Sequence, residues 1–429
     1  MKVAYLAAGA SGMYCGSCMH DNRLAATLIG RGREVVVFPL YTPLRTDESV
    51  VRQSEIYYGG INVYLQHRSA LFRHTPRFVD RVLDSRRLLG GVGRFAAKTR
   101  PEDLGRLTVS MLAGRHGPLR KELHRLIRAL EDVRPDLITL PNLMFVGLAA
   151  AIKDALGVPV VCTLSGEDVF LDQLVEPHHT EARELIKTGA SDVNAFVALT
   201  RYYADYAARH YSLPTSRVHC VPMGIHADQF PRRADAPEGP FVIGYLARIC
   251  HEKGLADLVE AFIELRAAGR ECRLRAAGYL GAGDRSYLEG IRQRLGEQAL
   301  EDSFEYLGEV TRQEKFDFLT SLHVFSVPAV QPEPKGFYCL EALACGVPIV
   351  QPDHGSFPEI VEATGGGLLY PPATPGALAA ALTRTMDEPE LCRSLGARGS
   401  EAIRKSFTAE VMADTVWALY ERLVAARSV

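Results

Sequence analysis

Two acidic residues, Glu333 and Glu341, stand with seven residues between them across Pro332-Glu333-Pro334-Lys335-Gly336-Phe337-Tyr338-Cys339-Leu340-Glu341. Pro332 and Pro334 cannot continue a helix, and Gly336 suits a tight turn. Phe337 to Ala344 is a good helical run, stopped by Gly346 and Pro348. Glu341 therefore falls in the first helical turns, while the backbone near Gly336 and Phe337 faces the loop, where the positive end of a helix dipole favours an anion. Two carboxylates beside an anion site could bind hydroxyls, which suits a sugar nucleotide. The plainer alternative makes Glu341 an acid complementing the dipole and Glu333 an ordinary loop carboxylate. A second constellation follows the apolar run Phe241 to Leu246, where Arg248 and Lys253 leave one strand end together. Leu255, Leu258, Val259, Phe262 and Leu265 then recur at helical spacing, so the order is strand, basic loop, helix. Fixed cations at such a point stabilise negative charge that grows as a bond to a leaving group breaks. For an isolated pair, solvated surface cations would be the better account.

The two-glutamate spacing, running into Ala342-Leu343-Ala344-Cys345-Gly346-Val347-Pro348, resembles the signature of retaining glycosyltransferases of family 4. Gly244, Arg248 and Glu252-Lys253-Gly254 are similar to that family's donor-phosphate segment. The resemblance is strongest from about residue 191 to 406. It implies an α/β chain of two doubly wound Rossmann-like domains facing a cleft, the GT-B architecture. The domains would be 1–229 for the acceptor and 240–406 for the nucleotide sugar, with 407–429 a helix crossing back to the first. It implies transfer from a nucleotide-diphosphate sugar to a hydroxyl acceptor, whether glycan, lipid-linked or small molecule. Arg248 and Lys253 would neutralise the diphosphate, Glu333 would hold sugar hydroxyls and Glu341 the ribose. Gly336, Phe337 and Tyr338 would complete the donor site, with Gly12 approaching from the first domain. The family's front-face mechanism passes the acceptor proton to the leaving phosphate and needs no dedicated base. No Asp-x-Asp motif stands out, so no essential metal and no separate cofactor are expected.

The elements that must position these residues are legible as alternation. Short β-rich runs at Val3 to Ala7, Val35 to Phe38, Leu137 to Leu140, Val158 to Leu164, Ala195 to Leu199 and Val218 to Val221 are interleaved with helical patterns. That order predicts a parallel sheet covered by helices. It restarts after the proline-rich stretch 229–240, read as an interdomain connection, with strands beginning at Phe241, Leu274, Phe304, Val324 and Pro348. A helical stripe of Val411, Met412, Val416, Leu419, Tyr420 and Leu423 closes the chain. The 429 residues favour two domains, and a net charge of −2 gives no reason to propose nucleic acid as a partner. Nine scattered cysteines form no disulfide framework, and no stretch approaches the ~18 apolar residues needed to span a bilayer. A cytoplasmic location is expected. Residues 67–134 hold 16 Lys and Arg against 7 Asp and Glu. With the amphipathic stripe Phe78, Val79, Val82 and Leu83, that segment suits an anionic acceptor, peripheral contact with an anionic membrane, or a solvated helical face.

Two segments depart from the family pattern. Many relatives carry a His where Ser165 stands in Thr163-Leu164-Ser165-Gly166-Glu167-Asp168. Either Glu167 or Asp168 replaces that polar contact or orients an acceptor hydroxyl, or the pair caps a helix. Loss of the His also favours a catalytically silent nucleotide-sugar-binding protein as a competing reading. Cys15-Gly16-Ser17-Cys18 has the spacing of redox and metal motifs, yet has no second such pair. Small thiols packing at a helix start compete with a thiol or metal centre.

Overall fold

The structure is a computed structural model that describes residues 1–9, 16–42, 46–51, 56–59, 63, 65–66, 101–233 and 235–427. Gly12, Cys15 and the stripe at Phe78, Val79, Val82 and Leu83 lie outside those residues. The chain forms two compact units, Met1–Pro222 with Met412–Val429, and Met223–Val411.

The first unit is built on a parallel sheet of β1 (Lys2–Ala7), β2 (Glu34–Pro39), β3 (Leu137–Leu140), β4 (Val160–Leu164), β5 (Ala195–Ala198) and β6 (Val218–Cys220), in the order β2-β1-β3-β4-β5-β6. Alternation along each strand divides the core between the two faces. Ala4, Leu6, Ile138, Leu140, Cys162 and Phe196 pack on one side, and Val3, Tyr5, Leu137, Val161 and Ala195 on the other. The second face is covered by the helix Gly16–Gly30 and by Met412, Val416, Trp417, Leu419 and Tyr420 of the helix Ala409–Ala425. Trp417 also donates its indole N–H to Glu421 (2.7 Å) and lies under the Arg33 guanidinium (4.8 Å to the ring centroid). In the described part of the basic segment, Arg115 pairs with Asp154 (2.7 Å) and Arg125 with Glu122 (3.3 Å), so part of its charge is neutralised internally. Among the described residues no helix is long and apolar enough to cross a membrane.

The second unit carries β7 (Phe241–Leu246), β8 (Cys272–Ala277), β9 (Phe304–Tyr306), β10 (Val324–Phe325), β11 (Ile349–Pro352) and β12 (Gly367–Tyr370), all parallel, in the order β12-β11-β10-β7-β8-β9. Relabelled from β7, this is the 3-2-1-4-5-6 order of a dinucleotide-binding fold. Connections leave β7 in one direction and return to β10 in the other, which opens a crevice at the carboxyl ends of these two strands. The proline-rich stretch belongs to this unit. Arg233 fastens it to the sheet's amino edge through the carbonyls of Gly346 (3.2 Å), His323 (3.3 Å) and Leu322.

Because Met412 is fully buried against the first sheet, Met412→Ala should cost about 2–5 kcal/mol of unfolding free energy. Urea titration followed by circular dichroism measures this.

Candidate active site

The crevice of the second unit receives the residues singled out by spacing. Leu246 ends β7, and the chain then turns through Arg248 and a short 3-10 turn, His251–Lys253, before the helix Leu255–Ala267. Gly254 has φ = 69°, and a β-carbon there would lie 1.9 Å from the Pro328 carbonyl oxygen, so the loops after β7 and β10 touch backbone to backbone. The Val330 amide donates to the Glu252 carbonyl (3.0 Å) and completes that seam. The approach brings Lys253 to Glu333, whose carboxylate accepts from the Lys253 ammonium and from the Tyr338 hydroxyl (2.9 Å). The ammonium also lies 5.8 Å from the Tyr338 ring centroid. A third loop, after β11, secures the Glu333 backbone, since the Ser356 amide donates to its carbonyl (2.8 Å). Gly336 opens the helix Phe337–Ala344 at φ = 83°, and no side chain caps it.

Glu333 is 5% exposed. Burial alone would push its carboxyl up, but the Lys253 charge and the hydrogen bonds from Lys253 and Tyr338 reverse this and hold it below the ordinary range. Burial and the Glu333 charge push the Tyr338 phenol well up, so it remains a donor. Arg248 is more open, its side chain 51% exposed and resting on Glu252 (3.4 Å) and the Cys250 thiol (3.1 Å). Glu341 lies a turn beyond Tyr338 and pairs with Lys315 at 2.9 Å, both side chains being buried. Sequence reasoning missed Lys315. Its signal was a Lys beside Phe316, Phe318 and Leu319 on the buried face of the helix Arg312–Thr320, whose Thr311 and Glu314 form a capping box.

In the first unit, Ser165, Glu167 and Asp168 follow the carboxyl end of β4. Glu167 is buried, and its carboxylate accepts from the amides of Leu143 (2.8 Å) and Ser165 (2.7 Å), joining the segments after β3 and β4. Burial outweighs those amides and pushes its carboxyl above the ordinary range. Asp168, half-buried, accepts from the Tyr203 hydroxyl (2.6 Å). Neither carboxylate caps its own short helix, Asp168–Leu171, through a side-chain hydrogen bond. Cys18 is buried inside the helix Gly16–Gly30, and among the described residues no group of three or more His, Cys, Asp or Glu is placed to hold a metal ion.

Comparison with known families closes on the same segments. The model of glycosyl transferases group 1 matches residues 227–402, and that of glycosyltransferase family 4 matches 94–229. Residues 227–402 thus carry a group 1 glycosyltransferase domain. Among similar proteins, 2-deoxystreptamine glucosyltransferase of Streptomyces kanamyceticus is 30% identical over 187 residues. That match takes in 44% of this chain and 47% of the relative, so the chain spans about half of that protein's length. Among solved structures, sucrose-phosphate synthase from Thermosynechococcus elongatus superposes with a TM-score of 0.73 at 18% identity, covering 99% of this chain and 100% of that one. Anabaena HepE in complex with UDP and glucose gives 0.69 at 15%, covering 98% and 99%. These likenesses establish the GT-B fold class.

Two outcomes follow for this site. Because the carboxyl of Glu333 is held below its ordinary value of 4.5, its pairing stabilises the fold above that value, and the benefit is lost as pH falls through the lower folded-state value. Urea midpoints measured from pH 7 downward should therefore fall less steeply for Glu333→Gln than for wild type across that acid range. Glu167→Ala leaves the Leu143 and Ser165 amides without their acceptor and should cost about 1–3 kcal/mol for each amide that stays dry. Asp168→Asn keeps an acceptor for Tyr203 and should unfold close to wild type in the same assay.

Proposed function

We propose that this chain is a retaining glycosyltransferase that moves a sugar from a nucleoside-diphosphate sugar to a hydroxyl acceptor. The observation that carries this reading is the cluster of Lys253, Glu333 and Tyr338, with Arg248 beside it, at the switch point of the second sheet in a group 1 glycosyltransferase domain. Arg248 and Lys253 take the diphosphate, and the start of the helix at Gly336 and Phe337 adds the positive end of its dipole. Glu333 accepts hydroxyls of the transferred sugar, with Tyr338 holding it in place, and Glu341 accepts hydroxyls of the ribose. As the bond from the anomeric carbon to the phosphate oxygen breaks, charge gathers on the diphosphate, where the fixed cations stabilise it more than in the ground state. The acceptor oxygen bonds to that carbon on the face the phosphate leaves, and its proton passes to the departing phosphate oxygen. Configuration is thereby retained without a metal or a dedicated base. The acceptor is a glycan, a lipid-linked sugar or a small molecule. Its contacts belong to the first unit, where Ser165 and Asp168 stand at the carboxyl end of β4.

A thermal-shift panel of UDP-, GDP- and ADP-sugars, with and without EDTA, tests the reading on wild type and Arg248→Ala. The HepE complex with UDP and glucose makes the UDP series the first to try. One donor at a hundred times its dissociation constant should stabilise wild type by about 2.7 kcal/mol, with EDTA making no difference, and Arg248→Ala should lose most of the shift. Donor binding with no transfer or hydrolysis would favour a silent binding protein, the alternative raised by Ser165. No shift with any donor would sink the donor-site assignment.

A further inference from the structure

Glu341 poses an electrostatic difficulty. A carboxylate that is to accept ribose hydroxyls beside a diphosphate repels that diphosphate, and a carboxylate 5% exposed is costly to keep charged. Lys315 removes both obstacles. Its ammonium bonds Glu341 through Oε1 at 2.9 Å, and the two side chains are 7% and 6% exposed. The ammonium sits 5.6 Å from the centroid of the Phe230 ring, which meets Phe316 edge to face at 5.0 Å. Phe230 is itself fastened by Arg404, which donates to the carbonyls of Phe230 (3.0 Å) and Ala344 (3.1 Å), the latter closing the helix that bears Glu341. The ammonium is thus held from two sides by elements far apart in sequence. The other carboxylate oxygen of Glu341, Oε2, has no hydrogen-bond partner among the described residues.

We propose that Lys315 is the positioning residue that makes Glu341 a selective acceptor for a ribose diol. It occupies one oxygen, cancels the charge that would repel the phosphates, and leaves the second oxygen to receive the hydroxyls. The inference rests on the assignment of Glu341 to the ribose given above. An undirected carboxylate would lose selectivity for the ribose 2′-hydroxyl, whereas a purely structural ion pair would lose stability alone.

The experiment is calorimetric titration of the full chain with UDP, GDP and ADP and with their 2′-deoxy counterparts, for wild type, Lys315→Met, Lys315→Arg and Glu341→Gln. Melting temperatures are recorded in parallel. A hydrogen bond from a hydroxyl to a charged acceptor should make wild type prefer the ribonucleotide by about tenfold or more. The preference should fall to within about threefold in Lys315→Met and Glu341→Gln, and Lys315→Arg, which keeps the cation, should recover most of it. Loss of preference in Glu341→Gln with full preference in Lys315→Met overturns the role of Lys315 while sparing the ribose assignment. Unchanged preference in Glu341→Gln, or no binding to wild type, overturns both. Should Lys315→Met fail to fold, Lys315→Arg decides the matter, and a folded protein without preference for the ribonucleotide counts against the proposal.

Discussion

A carboxylate buried at the end of a parallel sheet keeps its charge most readily when a cation is brought to it, and the second unit brings one to Glu333. Lys253 arrives from the loop after β7, Tyr338 from the helix after β10, and the Ser356 amide from the loop after β11. Three connections at one sheet edge, those after β7, β10 and β11, are therefore tied to a single residue. The close approach of Gly254 to the Pro328 carbonyl brings the first two within reach, and any side chain at that glycine would push them apart. The same constraint recurs at Glu341, answered by Lys315 from a fourth element.

The first unit solves a similar problem by other means. Glu167 is just as buried, but its partners are backbone amides rather than a cation, and its carboxyl is held high rather than low. Two glutamates of like burial thus have opposite titration behaviour, set by whether the compensating group carries a full charge or a dipole. Glu167 joins the segments after β3 and β4, and Asp168 beside it is the more open of the two.

The strand positions, the basic loop, and the loop and helix that carry Glu333 and Glu341 were legible because each is a local pattern: an apolar run, a helical spacing, a glycine at a turn. Eleven strands begin within two residues of where alternation places them. β12 was not read from the sequence, its apolar run Leu368-Leu369-Tyr370 being only three residues long and lying between Gly365-Gly366-Gly367 and Pro371-Pro372. Lys253 and Glu333 were both nominated from sequence, yet their bond to each other was not, because it joins loops 80 positions apart. Lys315 was passed over for the same reason. Its role depends on a contact 26 positions away, and a lysine in an amphipathic helix ordinarily faces water. The role of Glu167 was also beyond local reading, since one of its two amides comes from the segment after β3.

The chain contains one tryptophan, and it sits at position 417 in the helix that completes the first unit, beneath the Arg33 guanidinium. Indole emission excited at the red edge of protein absorption therefore reports on that unit alone. The second unit, which carries the glutamate and lysine pairs, is seen in the ultraviolet through its tyrosines, among them Tyr245, Tyr338 and Tyr370. The tryptophan thus follows the first unit without an attached dye, whereas the tyrosines, Tyr5 and Tyr203 in the first unit and Tyr245 and Tyr338 in the second, report on both.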